Sequence, residues 1–158
     1  MLLAFDIGNS DITIGLWADK QWKHIWRIPS KPNQPELYYG VKMRDYFLEA
    51  RIAVDHVETI VLSSVVPGLT EKIRSVIRNL YLKEAFTLGP ALYGKLPIEV
   101  LNPYEIGSDL VANAMAAYTK FKETCIVVDF GTALTFTTVS GEGKILGVSI
   151  VPGLRTAL

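Results

Sequence analysis

Two stretches of this sequence repeat one pattern. In "LLAFDIGNSDITIGLWAD", residues 2–19, an apolar run ends in Asp6, turns on Gly8 with Asn9 and Ser10 beside it, and resumes as an alternating strand. In "CIVVDFGTALTFTTVSG", residues 125–141, a run ends in Asp129, turns on Gly131 and Thr132, and resumes in the same way. A buried strand gains nothing by ending in a carboxylate, so the repetition constrains the chain strongly. It predicts two hairpins, each opening one copy of a duplicated α/β unit, with the second copy incomplete.

The rest of the chain fits α/β alternation. Residues 2–5 and 11–18 read as the first hairpin, with Ile12, Ile14 and Leu16 on one face. "ADKQWKH" reads as a polar turn, "HIWRIPS" as a third strand and "SKPNQP" as a proline loop. An amphipathic helix is expected over 36–51, with Leu37, Val41, Tyr46 and Phe47 among its apolar contacts. "HVETIVLSSVVP" is an apolar strand, and "LTEKIRSVIRNLY" a helix carrying Ile73, Val76, Ile77 and Leu80 at helical spacing. "EAFTLG" and "LPIEVL" read as short strands, and residues 108–121 as an alanine-rich helix. After the second hairpin come a Gly141–Gly143 turn, another strand, Pro152-Gly153 as a turn, and the first residues of a helix. A helix starting so near a terminus cannot bury a full face, so the chain is expected to be a fragment.

Composition narrows the function. With 158 residues, 49% of them hydrophobic, the chain has ample core material. The 16 Lys and Arg balance the 16 Asp and Glu, which argues against a general electrostatic role on nucleic acid or anionic membrane. The single cysteine, Cys125, excludes an intramolecular disulfide and a cysteine metal cluster. No apolar run approaches the roughly 20 residues of a membrane span, and nothing resembles a signal peptide. A cytoplasmic location is expected.

The turns suggest phosphate chemistry. Glycine lets the backbone approach a ligand closely, and successive N–H groups in such a turn cradle phosphate oxygens. Asn9, Ser10, Thr13, Thr132 and Thr135 add donors. A carboxylate beside a phosphate requires a cation between them, which makes Asp6 and Asp129 candidates for holding Mg²⁺, directly or through water, or a monovalent ion. Either Asp-x-Gly alone is equally a β-turn capping its own backbone; two at matching strand ends favour phosphate. No Walker loop or dinucleotide fingerprint is present. In "NPYEIGSDLVAN", Ser108 or Asp109 starts a helix, where a plain N-cap is the ordinary role. Asp109 is also placed to orient a substrate hydroxyl and take its proton late in phosphoryl transfer.

"DIGNS", "SSVVP", "NPYEIGSD", "DFGTALTF" and "PGLRTAL" resemble, in order and along essentially the whole chain, the motifs of type III pantothenate kinases, also called the Bvg accessory factor family. The resemblance implies the actin-like ATPase fold, related to ribonuclease H, whose two duplicated domains hold a nucleotide between paired hairpins. It places a first domain at 1–117 and the beginning of a second at 118–158. It implies ATP-dependent phosphorylation of pantothenate, the first step of coenzyme A biosynthesis. Asp6, Ile7, Gly8, Asn9, Ser10, Asp11, Ile12 and Thr13 would bind ATP phosphates, with Mg²⁺ near Asp6, and Thr132 would contact ATP. Asp129 would hold a monovalent cation, K⁺ or NH₄⁺. Asp109 would be the base, and Val100, Gly107, Ser108, Asp109 and Leu110 would line the pantothenate pocket of a homodimer.

This sequence departs from the family pattern at three places. Leu110 stands where the family's Gly-x-Asp-Arg motif has arginine, Val100 where it usually has a substrate-contacting tyrosine, and Thr137 where it often has aspartate. Arginine offers a planar donor fork suited to a carboxylate, and pantothenate carries one. Two alternatives follow: a nucleotide-binding paralogue without kinase activity, serving as a regulatory subunit, and a kinase of the same fold with an uncharged acceptor. His24 and His56 read as surface residues, the three tryptophans as packing around one hairpin, and Cys125 as a core residue.

Overall fold

The computed structural model describes residues 1–153, so the helix expected to begin after Gly153 lies outside the described residues. By packing, the chain divides into two compact units, Met1–Thr87 and a second starting at Leu88.

The first unit is a five-stranded sheet of order β3-β2-β1-β4-β5, formed by β1 (Leu2–Ile7), β2 (Asp11–Ala18), β3 (Gln21–Pro29), β4 (Thr59–Ser64) and the two-residue β5 (Phe86–Thr87). β1, β2 and β3 form an antiparallel meander, whereas β4 joins β1 in parallel. The expected seven-residue polar turn after β2 is much tighter. Asp19 and Lys20 take positive φ values of 49° and 60°, the twist-matched geometry of a two-residue hairpin loop, so β3 begins at Gln21. Gly15 lets the Trp22 ring lie against the sheet, since a Cβ there would stand 2.6 Å from the ring.

Strand alternation turns Leu3, Phe5 and Ile7, with Ile12, Ile14 and Leu16, into one buried cluster. Helices α1 (Glu36–Glu49) and α2 (Pro67–Tyr81) supply the other layer. α2 uses Ile73, Val76 and Ile77 as its spacing predicts, joined by Leu69 and Tyr81. α1 uses only half of the expected contacts, Tyr46 and Phe47. Leu37 and Val41 are exposed, and Tyr39, Met43 and Phe47 are buried. These three lie four apart and form one stripe, which the neighbouring Leu37–Val41 pair obscures in the sequence. Tyr46 flanks the stripe, stacked on Trp26 at 5.5 Å, and Trp26 in turn stacks on His24 at 5.1 Å.

Tyr39 also pins the proline loop. Its buried hydroxyl donates to Lys31 O at 2.7 Å and accepts from Lys31 N at 3.0 Å, and burial pushes the phenol's pKa up. Tyr39→Phe keeps the ring but strands both backbone groups of Lys31. It is expected to cost about 1–3 kcal/mol, read as a lower urea midpoint at unchanged slope. An unchanged midpoint would mean that the loop is held by other contacts.

The second unit contains the short α3 (Pro90–Tyr93), α4 (Ser108–Phe121) and an antiparallel meander of β6 (Cys125–Phe130), β7 (Ala133–Val139) and β8 (Ile145–Pro152). α4 packs on β6 and β7, through a cluster that includes Tyr93, Ile98, Val111, Ala114, Val139 and Ile145. Packing groups α4 with the second sheet, a different division from the 117/118 boundary that the family resemblance implies. "LPIEVL" forms no strand; a lone bridge joins Glu99 to Lys144. The Gly141–Gly143 hairpin turn is structural. Gly143 sits at φ 87°, and a Cβ there would meet Pro97 O at 2.9 Å. Pro152 closes β8 rather than standing in a turn. No helix among the described residues is long and apolar enough to cross a membrane.

Candidate active site

The first acid-glycine turn ends the central strand of its sheet. β1 pairs with β2 so that Asp6 faces Thr13, and with β4 so that Asp6 lies beside Ser63. Side chains alternate across a pleated sheet, so Thr13, Asp6 and Ser63 share one face while Ile7 and Ile12 point into the core. A row of three oxygen-bearing side chains thus crosses β2, β1 and β4. Gly8 N donates to Asp11 O at 3.0 Å. The Ser30 hydroxyl donates to Gly8 O at 2.6 Å and Ser30 N to Ser10 O at 2.8 Å. These bonds hold the turn's carbonyls from the end of β3. A Cβ on Gly8 would stand 3.2 Å from Asp11 O, and Asn9 and Ser10 are exposed at the tip.

Ser63 has no assigned role in the sequence reading, and its register supplies one. Its neighbour Ser64 does something else. The Ser64 hydroxyl accepts from Val66 N at 3.2 Å and from the Thr70 hydroxyl at 2.8 Å, which ties the end of β4 to the first turn of α2.

The second turn repeats the first with one residue fewer. Asp129 faces Thr135 across β6 and β7, six positions on, where Asp6 faces Thr13, seven positions on. Gly131 N donates to Ala133 O at 3.0 Å, and Gly153 N donates to Thr132 O at 3.1 Å. The Thr135 hydroxyl oxygen is buried and has no hydrogen-bond partner among the described residues.

α4 begins after Gly107, which has extended dihedrals and no side-chain cap. Asp109 lies in the first turn, half-buried, and its Oδ1 accepts from Leu110 N at 2.8 Å. Four residues on, and so on the same helix face, Asn113 Nδ2 donates to Asp129 Oδ2 at 3.2 Å. Asn113 is absent from the sequence reading, although its spacing from Asp109 is a signal that could have found it. Burial, and then the negative charge of Asp109, raise the Tyr93 pKa. Val100, Gly107 and Leu110 line a cavity of about 400 Å³ together with Ile106, Val148 and Ile150. Glu105 is the one charged residue among the described residues lining it; Ser108, buried in the first turn of α4, and Asp109 are not part of this lining.

The donors are suited to hard cations. No group of three or more His, Cys, Asp or Glu that could hold a metal occurs among the described residues. A row of one carboxylate and two hydroxyls fits an ion that keeps most of its water, as Mg²⁺ does. At the second turn the orphaned Thr135 hydroxyl beside Asp129 gives a second oxygen for a cation.

Residues 2–158 match the family model of type III pantothenate kinase. The chain is similar to the type III pantothenate kinase of Pelobacter propionicus, 38% identical over all 158 residues and 62% of the relative. It is similar to that of Geobacter sulfurreducens, 34% identical over 98% of this chain and 60% of the relative. The chain thus spans about three-fifths of the length of the curated relatives it matches. Among solved structures it is similar to ethanolamine utilization protein EutJ from Carboxydothermus hydrogenoformans, with TM-score 0.54, 14% identity, and 96% and 51% of the two chains covered. It is also similar to ROK hexokinase from Thermus thermophilus, with TM-score 0.51, 15% identity, and 92% and 47% covered. These likenesses show a mixed α/β fold of the actin-like ATPase class. With the family model matched from residue 2 to residue 158, the chain belongs to the type III pantothenate kinase family.

Proposed function

We propose that the protein transfers the γ-phosphoryl group of ATP to the hydroxyl of pantothenate, giving 4'-phosphopantothenate. One geometric observation supports this reading beyond family membership. Asp109 stands in the first turn of α4, and Asn113 on the same helix face is bonded to Asp129 of the second turn. The proposed base and the proposed cation-holding acid are therefore set on one helix and its adjoining strand.

In this reading Asp109 accepts a hydrogen bond from the pantothenate hydroxyl, aims its oxygen, and takes the proton late. Phosphoryl transfer depends mostly on positioning and charge neutralisation, which places little demand on base strength. Residues 6–13 receive the ATP phosphates. Asp6, Gly8, Asn9, Ser10, Asp11 and Thr13 offer side chains or close backbone, while buried Ile7 and Ile12 contribute main chain alone. Thr132 contacts ATP, and Val100, Gly107, Ser108 and Leu110 shape the acceptor pocket. Mg²⁺ near Asp6 and K⁺ or NH₄⁺ at Asp129 would neutralise charge on the phosphates. With Leu110 in the arginine position, this wall of the pocket offers pantothenate apolar contact. The same reading carries a homodimer, a cytoplasmic location, and the domain boundary at 117/118.

The test is the whole protein, expressed from its gene, incubated with ATP, Mg²⁺, K⁺ and pantothenate, with products read by mass spectrometry. Phosphopantothenate is the expected product. ATP binding with no phosphate transfer to pantothenate would overturn the proposal.

A further inference from the structure

We propose that Asn113 is a positioning residue that sets the Asp129 carboxylate from α4; this rests on the reading of Asp129 as the cation-holding acid. Asn113 Nδ2 donates to Asp129 Oδ2 at 3.2 Å, and both side chains are half-buried. Occupying Oδ2 fixes the rotation of the carboxylate and leaves Oδ1 as the oxygen to meet a cation.

The residue type matters as much as the contact. An amide donates a hydrogen bond without carrying charge, so Asn113 brings no positive charge to compete with the ion at Asp129. A lysine or arginine here would satisfy the carboxylate and displace the cation, and an acid would repel it. Thr135 lies opposite Asp129 in the ladder, and its buried hydroxyl has no partner among the described residues. Asn113 and Thr135 thus frame Asp129 from the helix and from the neighbouring strand.

The test compares wild type with Asn113→Leu and Asn113→Gln in the whole protein, titrating KCl at fixed ATP, Mg²⁺ and pantothenate. Asn113→Leu is expected to raise the half-saturating KCl concentration about 10-fold or more, as loss of a hydrogen bond behind a metal ligand does. The KM for ATP should rise with it, while the KM for pantothenate stays unchanged. Asn113→Gln keeps the donor on a longer arm and should recover part of the loss. An unchanged KCl midpoint, whether or not kcat or the melting temperature falls, would overturn the inference, as would a wild type indifferent to KCl. If Asn113→Leu fails to fold, Asn113→Ser takes its place with the same expected shift. A wild type that makes no phosphopantothenate would sink the proposed function. The inference would then be read from the KCl dependence of ATP binding, which Asn113→Leu should weaken and which an unaltered dependence would refute.

Discussion

Replacing Asp109 with asparagine is expected to lower kcat by a factor on the order of 10²–10⁴, the usual contribution of a positioned base, with little change in nucleotide affinity. Asparagine is nearly isosteric and its side-chain oxygen still accepts from Leu110 N, the bond that seats Asp109 at 2.8 Å. The first turn of α4 therefore stays in place. What disappears is the negative charge and the ability to take a proton. A spectroscopic companion comes from Tyr93, whose pKa is raised by burial first and by the Asp109 charge second. Removing that charge should lower the pH at which Tyr93 ionises, and it shows that the substitution acted where intended. Full activity in Asp109→Asn, with the Tyr93 titration moved, would remove Asp109 from the mechanism and leave it as a helix-end carboxylate.

The largest structural effect is expected at Gly153. A Cβ there would stand 2.6 Å from Gly131 O and 2.8 Å from the Thr132 carbonyl carbon, closer than real Cβ atoms come to backbone. Both neighbours are main chain in a tight turn, with no flexible end to swing aside. Gly153→Val must therefore push the Gly131-Thr132 turn out of shape and break the Gly153 N to Thr132 O bond. Overpacking of this kind costs about 1–3 kcal/mol, and it falls on the turn proposed to meet ATP. The expected outcome is a lower melting temperature together with a KM for ATP raised about 10-fold, the kinetic equivalent of ~1.4 kcal/mol. Gly147→Ala is the control. It sits within β8, the strand that leads into Gly153, with nothing within 4 Å of a new Cβ, and it should leave both quantities unchanged. Equal effects at the two positions would show that the loss does not come from the clash with the Gly131-Thr132 turn.

Much of this was legible in the sequence because alternation and helical spacing are strong signals. The β1–β2 hairpin, the buried stripe of α2 and the bounds of α4 all follow from where apolar residues recur. The face of α1 was legible at Tyr46 and Phe47 and not before them. Leu37 and Val41 form one four-residue spacing, and Tyr39, Met43 and Phe47 form the next, and only packing against the sheet decides between them. "LPIEVL" reads as a strand by composition but makes a single bridge, because strand formation depends on having a partner along its length. At the site, the two acids and the base candidate were visible as motifs. Ser63, Asn113 and the Asp–Thr pairing of each hairpin were not: Ser63 depends on the register of two strands far apart in the chain, Asn113 on how α4 packs against β6, and each Asp–Thr pair on the length of its turn.

The parallel pairing of β1 with β4 has a consequence for how the first unit is made. β1 meets β2 across a short turn, so that hairpin closes early at little entropic cost. β4 must travel back past β3 and α1 before Leu2 finds Thr59, and such non-local pairing is what slows folding. The row Thr13–Asp6–Ser63 spans this junction and is complete only after the slow encounter has occurred. The affinity for a nucleotide phosphate proposed at the first turn should therefore appear late in refolding, in step with the crossover rather than with the hairpin.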